Sequence, residues 1–118
     1  MRVNPISPPQ DAVDAGVLGG HWYEVKGSGA RAILRWLGGP GSPDKDVILY
    51  DVEAEIPGGG AGSIVVASIG AWADKEAITL SCLAPPERVP WLKRLGFVEV
   101  EQRYGDVVCA RSPKPQLY

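Results

Sequence analysis

Metal-binding side chains are scarce in this sequence. It has one histidine, His21, and two cysteines, Cys82 and Cys109, with neither a CxxC nor an HxxxH spacing. Zinc sites gather about three or four such ligands, so no metal is expected. Both cysteines sit inside apolar runs and read as reduced, buried thiols rather than a disulfide framework. No apolar run reaches the roughly 20 residues that span a bilayer, and no membrane partner is expected. "MRVNPISPPQD" lacks the apolar core of a signal peptide, so a cytoplasmic location is the default expectation. Basic charge is not in excess either: 12 Lys and Arg stand against 14 Asp and Glu, a net charge of −2. That balance argues against a nucleic-acid partner.

What is present is ordinary globular composition, 45% hydrophobic and 22% charged. The length suits a single domain able to bury its own core. One domain is expected over residues 1–112, with a loose tail over 113–118.

Along the chain, "MRVNPIS" reads as a short strand stopped by Pro8 and Pro9. "PPQDAVDAGVL" reads as a short helix with Val13, Val17 and Leu18 at helical spacing, closed by Gly19 and Gly20. "HWYEVKG" and "ARAILRWLGG" are ambiguous; the second fits a strand or a short helix. "GGPGSPD" is a turn. "DVILYDVEAEI" (46–56) is the clearest strand, alternating Ile48, Tyr50, Val52, Ala54 and Ile56 against Leu49, Asp51, Glu53 and Glu55. "SIVVASIGAWADKEA" reads as a helix whose face is Val65, Ile69 and Trp72, with Ile64 and Ala71 beside it. A short buried strand over 77–84 follows. "PPERVPWLKRLG" then fits a two-turn helix with Val89, Leu92 and Leu95 inward and Gly96 as its cap. Lys93 and Arg94 read as its exposed face. "FVEVEQRYGDVVCARS" reads as a hairpin turning at Tyr104-Gly105-Asp106.

"PGGGAGSIVV" (57–66) carries the most chemical information. Four glycines fall among the six residues from Pro57 to Gly62, between a strand and a helix. Read from residues alone, this is either a tight strand-to-helix turn or a cradle for an anion. The first turn of a helix holds unpaired N–H groups and the positive end of the dipole, and glycine lets a phosphate approach them. Two nucleotide motifs are excluded. No Lys-Ser/Thr pair follows the glycines, and G-x-G-x-x-G read from Gly58 would need glycine at Ser63.

The stretch "PGGGAGSIVVASIGAWADKEAITLSCLA", followed by "VPWLKRLGFVEVEQR", resembles the GNAT superfamily of N-acetyltransferases. Gly60-Ala61-Gly62 and Ser63 match the second half of that family's phosphate loop, and Leu95-Gly96-Phe97 matches its downstream "LGF". The resemblance covers roughly residues 47–111. It implies an α/β fold: a mixed, mostly antiparallel sheet with a central splayed parallel pair, flanked by helices. It implies acetyl-coenzyme A as co-substrate, with its pyrophosphate on the N–H groups of Gly58, Gly59, Gly60, Ala61, Gly62 and Ser63. The backbone of Val52, Ala54 and Ile56 would hold the pantetheine arm, and Glu53 or Glu55 would act as general base. Asp51 shares their face, and all three also fit the solvated side of an amphipathic strand. The activity implied is N-acetyl transfer to an amine of a protein or a small molecule. Two positions depart from the family. Pro57 stands where it has Arg or Gln, and Leu92 where it often has a general-acid tyrosine. These departures suit the alternative reading, a catalytically degenerate GNAT-fold structural or partner-binding protein. Small members of the family occur in bacteria and phages, which adds a virion or host-cytoplasm location and a phage or host protein partner to the expectations. Exposed sheet edges make a homodimer a further expectation.

Overall fold

The computed structural model describes residues 2–115. Met1, assigned to the first strand above, and residues 116–118 of the expected tail lie outside the described residues. The elements in chain order are β1 (Arg2–Ile6), α1 (Gln10–Asp14), β2 (His21–Gly27), β3 (Ala30–Trp36), β4 (Asp46–Ala54), α2 (Ala61–Glu76), β5 (Thr79–Ala84), α3 (Val89–Arg94), β6 (Val98–Arg103) and β7 (Asp106–Arg111). A 3-10 turn over Pro86–Arg88 leads into α3. The strands form one sheet in the order β1-β2-β3-β4-β5-β7-β6. Every neighbouring pair is antiparallel except β4 and β5, which are parallel and joined by α2 as the crossover. This is the expected α/β architecture, a mixed sheet with a central parallel pair.

The ambiguous "ARAILRW" is a strand because its apolar residues serve two sides of the sheet. Ala32, Leu34 and Trp36 join the main core with α2, while Ile33 joins a smaller cluster with Ala12 and Trp22 under α1. A period of two satisfies both sides, whereas a helix would bury only one stripe. Helix α1 is shorter than expected, and its buried residue is Ala12. Val13 and Leu18 are exposed, and it is Ala12, with Val17 beyond the helix, that packs with Trp22 and Ile33.

Helix α2 begins at Ala61 and buries Val65, Val66, Ile69, Gly70 and Ala73. Ile64 and Ala71, expected beside the buried face, point to solvent instead. The sheet takes its share of the helix at Val66, Gly70 and Ala73. Trp72 is half-buried and meets Trp36 edge-on, with ring centroids 5.9 Å apart. In α3, Val89 and Leu92 are buried as expected, and the Phe97 N–H returns to the Leu92 carbonyl at 3.1 Å to close the helix. The hairpin turns through Tyr104 and Gly105, both at positive φ.

Gly70 lies tight against a salt bridge. Arg111, at the end of β7 and only 6% exposed, donates to both carboxylate oxygens of Asp74, at 2.8 and 3.0 Å. A Cβ on Gly70 would stand 3.1 Å from the guanidinium. The Lys114 N–H also donates to Asp74, at 2.7 Å, so the described start of the expected tail is tied to α2. Asp74→Ala would strand a buried guanidinium and is expected to cost about 3–5 kcal/mol, read as a lower urea midpoint. The hydrogen bonds from Arg111, opposed by burial, hold the Asp74 carboxyl below its usual range. Because the folded pKa is depressed, the contribution is present above the unfolded value of about 3.9 and is lost as pH falls through the lower folded value. The acid sensitivity of Asp74→Ala should be correspondingly smaller in that window.

Candidate functional site

The site begins with a bulge in β4. Ile33 of β3 pairs with Asp51, but the next residue, Leu34, pairs with Leu49, so Tyr50 is an additional residue in β4. A bulge moves the following residues to the opposite face. Val47 and Leu49 before it, and Val52 and Ala54 after it, all pack on the α2 side, while Tyr50 packs on the α1 side against Trp22. The strict alternation expected for this strand therefore fails. Leu49 belongs to the core, Ile48 and Tyr50 lie opposite Val52 and Ala54, and Ile56 is exposed beyond the strand.

The bulge coincides with the end of the parallel pairing. β4 and β5 are in register only at Asp46–Thr79, Val47–Leu80 and Ile48–Ser81. Beyond Ile48 they diverge, leaving a cleft of about 280 Å³. Apolar side chains including Leu49, Val52, Cys82, Ala84 and Leu92 line it, and Asp51 and Arg88 are its charged residues. It opens toward the carboxyl ends of the parallel strands, where ligand crevices of open α/β sheets form.

Helix α2 starts at that same end. The Gly59 N–H donates to the Ile56 carbonyl at 3.2 Å, across Pro57 and a Gly58 at φ +80°. A proline followed by a positive-φ glycine is the pattern of a type II turn. Pro57 thus stiffens the loop at the point where a side-chain donor was expected. Gly60 precedes the helix at φ +86°, and the first bond within it runs from the Ile64 N–H to the Gly60 carbonyl at 3.1 Å. The N–H groups of Gly58, Gly60, Ala61, Gly62 and Ser63 have no acceptor among the described residues. A Cβ at Gly58 or Gly60 would meet nothing within 4 Å, so the space outside this turn is open. No acidic residue occupies the first turn. Open space, a row of free donors and an uncompensated dipole fit an anionic group such as a pyrophosphate. Gly59 contributes its N–H to the turn instead.

α3 closes the other side. The Trp91 indole N–H donates to the Ser63 hydroxyl at 2.7 Å, and its ring would lie 3.9 Å from a Cβ on Gly62. Trp91 thereby joins the start of α2 to the cleft wall.

The carboxylates on β4 divide. Asp51 lines the cleft, and its Oδ1 accepts the Val52 N–H at 2.9 Å. Burial, and next the charge of Glu53, push its pKa up. Glu53 accepts from Arg31 at 3.0 Å, and Arg31 also donates to Glu24 at 2.6 Å. With Glu55 and Ala54, Glu53 borders a separate hollow toward β2 and β3. Of the backbone positions expected to hold a pantetheine arm, Val52 borders the cleft, whereas Ala54 and Ile56 do not. The prominence of Asp51 could not be read from the sequence, because a bulge leaves no mark in an alternating pattern.

Other residues weighed from the sequence lie elsewhere or are inert. His21 packs against Gly39. Cys82 and Cys109 are free, buried and opposite one another across β5 and β7, and burial pushes the Cys82 thiol up to about 12, which disfavours its thiolate near neutral pH. Lys93 pairs with Glu99 at 3.7 Å, outside the cleft. A larger hollow of about 540 Å³ lies beside α2 among Tyr23, Trp36 and Trp72, flanked by Lys45 and Glu76. It holds no cluster of reactive groups. Among the described residues no three His, Cys, Asp or Glu gather to hold a metal, and no helix is long and apolar enough to cross a membrane.

Comparison of the sequence with protein-family models and with curated proteins gives no match. The fold, however, is that of the GNAT acetyltransferases. GCN5 of Tetrahymena superposes with a TM-score of 0.67 at 13% identity, over 92% of this chain and 79% of that one. A Bacillus subtilis acetyltransferase in complex with CoA gives 0.64 at 12% identity, over 94% and 97%. The PaiA N-acetyltransferase of Thermoplasma acidophilum, also in complex with coenzyme A, gives 0.60 at 9% identity, over 86% and 65%.

Proposed function

We propose that this protein transfers an acetyl group from acetyl-coenzyme A to an amine. The observation that carries the reading is the divergence of β4 from β5 beside a helix start with free N–H donors. The structural neighbours solved with coenzyme A support it. The N–H groups of Gly58 and of Gly60 to Ser63 would hold the pyrophosphate. The edge of β4 beyond Ile48, which has no β5 partner, would receive the pantetheine arm. Held this way, the thioester stands at the bulge, beside Asp51, with its motion relative to an acceptor already restricted.

Acetyl transfer requires an unprotonated amine, and most amines are protonated at neutral pH. Asp51, raised by burial and by Glu53, is suited to accept that proton directly or through a water. Glu53 and Glu55 are the bases implied by the sequence resemblance; the Arg31 ion pair occupies Glu53 and leaves Asp51 as the carboxylate of the cleft. As the N–C bond forms and the C–S bond breaks, the thiol leaves as thiolate. An alkyl thiol with a pKa of about 8.5 needs little help near neutral pH, so leucine at position 92 does not stop the reaction. The acceptor is a primary amine, on a protein or a small molecule. Release of free thiol from acetyl-coenzyme A on addition of a panel of amines and amine-bearing peptides tests this. Amine-dependent release is expected, and binding with no release across the panel would leave a cofactor-binding domain without the chemistry.

A further inference from the structure

Pro57 leaves the glycine turn without a side-chain cation, although a pyrophosphate carries two negative charges. Arg88 is the cationic side chain that lines the cleft. Unlike Arg31, Arg103 and Arg111, which are paired with carboxylates, Arg88 makes no side-chain hydrogen bond or ion pair among the described residues, and its backbone N–H donates to the Pro85 carbonyl at 2.9 Å. It ends the 3-10 turn that follows β5, at the carboxyl end of the parallel pair where α2 also begins. Trp91, three residues further on in α3, lines the same cleft. Trp91 is the side chain fastened to Ser63 in the first turn of α2. Val52 and Trp91, which line the cleft with Arg88, would lie 3.5 and 3.9 Å from a Cβ on Gly62, so the turn borders the cleft that Arg88 lines.

We infer that Arg88 is the cation of the phosphate site, reaching across the cleft mouth to the pyrophosphate in place of a donor from the loop. This rests on the acetyl-coenzyme A reading above. It makes the site a two-part clamp: the backbone of one helix start supplies geometry, and a guanidinium from the other wall supplies charge and a planar pair of donors. Lys93 and Arg94, nearer the end of α3, lie outside the cleft and do not share the role.

Calorimetric titration of Arg88→Gln with coenzyme A and with dephospho-coenzyme A tests the inference. Dephospho-coenzyme A keeps the pyrophosphate and lacks the phosphate on the ribose. Arg88→Gln is expected to weaken both ligands about 10-fold or more, as for loss of one charge-assisted contact, and to lower the salt dependence of binding. Its unfolding midpoint should be nearly unchanged, because the side chain is exposed and makes no hydrogen bond or ion pair among the described residues. Arg88→Lys should recover part of the affinity. Wild-type affinity in Arg88→Gln would overturn the inference and leave the acetyl-coenzyme A reading standing. A loss with coenzyme A but not with dephospho-coenzyme A would move Arg88 to the ribose phosphate and also overturn it. Absence of binding to the wild-type protein would remove the reading beneath it.

Discussion

Gly60→Glu is expected to abolish acetyl-coenzyme A binding in a protein that remains folded. Space is not the obstacle to folding, since nothing lies within 4 Å of a Cβ built at Gly60. The cost to the fold comes from φ +86°, which an L-residue adopts at a penalty of about 1–2 kcal/mol. A carboxylate near the positive end of α2 returns about 0.3–1 kcal/mol of that. Binding responds quite differently. The same open space is where a pyrophosphate would meet the free N–H groups, and the new side chain brings a negative charge into it. Like charges about 4 Å apart at a surface-type effective dielectric repel by about 4 kcal/mol, so a loss on the order of 100-fold or more is expected. Gly60→Ala carries the same backbone strain without the charge and should lose only a few-fold. Titration of both variants, with urea unfolding alongside, separates strain from occupation of the site. Equal affinity in Gly60→Glu and wild type would show that the phosphates bind elsewhere.

Asp51→Asn is expected to lower kcat by about 100- to 10,000-fold, the usual contribution of a positioned base, with little change in affinity for acetyl-coenzyme A. The pH profile makes this specific. A base works in its ionised form, so kcat/KM of the wild type should climb with pH to a plateau. The midpoint should lie above the usual carboxylate value of about 4, because burial and then Glu53 hold the Asp51 proton on. Asp51→Asn should lack that limb. Glu53→Gln removes the second cause of the shift and is expected to move the midpoint to lower pH while keeping the plateau. Glu55→Gln, outside the cleft, should leave both in place. If Glu53→Gln or Glu55→Gln instead flattened the plateau to the level of Asp51→Asn, the base would be that residue.

Much of the fold from α2 onward was legible in the sequence because its signals are local. Glycines before an apolar periodic run marked the start of α2, Gly96 marked the end of α3, and Tyr104-Gly105 marked the hairpin. The elements from β1 to β3 were harder to read. The apolar residues of β3 divide between two cores, so its pattern fits either a strand or a helix until both neighbours are in place. Helix α1 buries one alanine, which carries no periodic signal.

The site followed the same division. The turn and its donors were readable from Pro57 to Ser63, because the chemistry belongs to the backbone there. The proposed base and the proposed cation were not. Asp51 enters the cleft through a one-residue bulge, a consequence of how β4 registers on β3. Arg88 gains its place from the way Trp91 fastens α3 to α2, a contact between residues 28 apart. Neither arrangement follows from spacing within one element.

The cleft between β4 and β5, bordered by the glycine turn at Gly62, is proposed as an acetyl-coenzyme A site. Calorimetric titration of the wild-type protein with acetyl-coenzyme A tests it most directly. Saturable binding of one ligand per chain, competed by desulfo-coenzyme A and weakened by salt, is the expected result. No heat and no competition at millimolar ligand would contradict it.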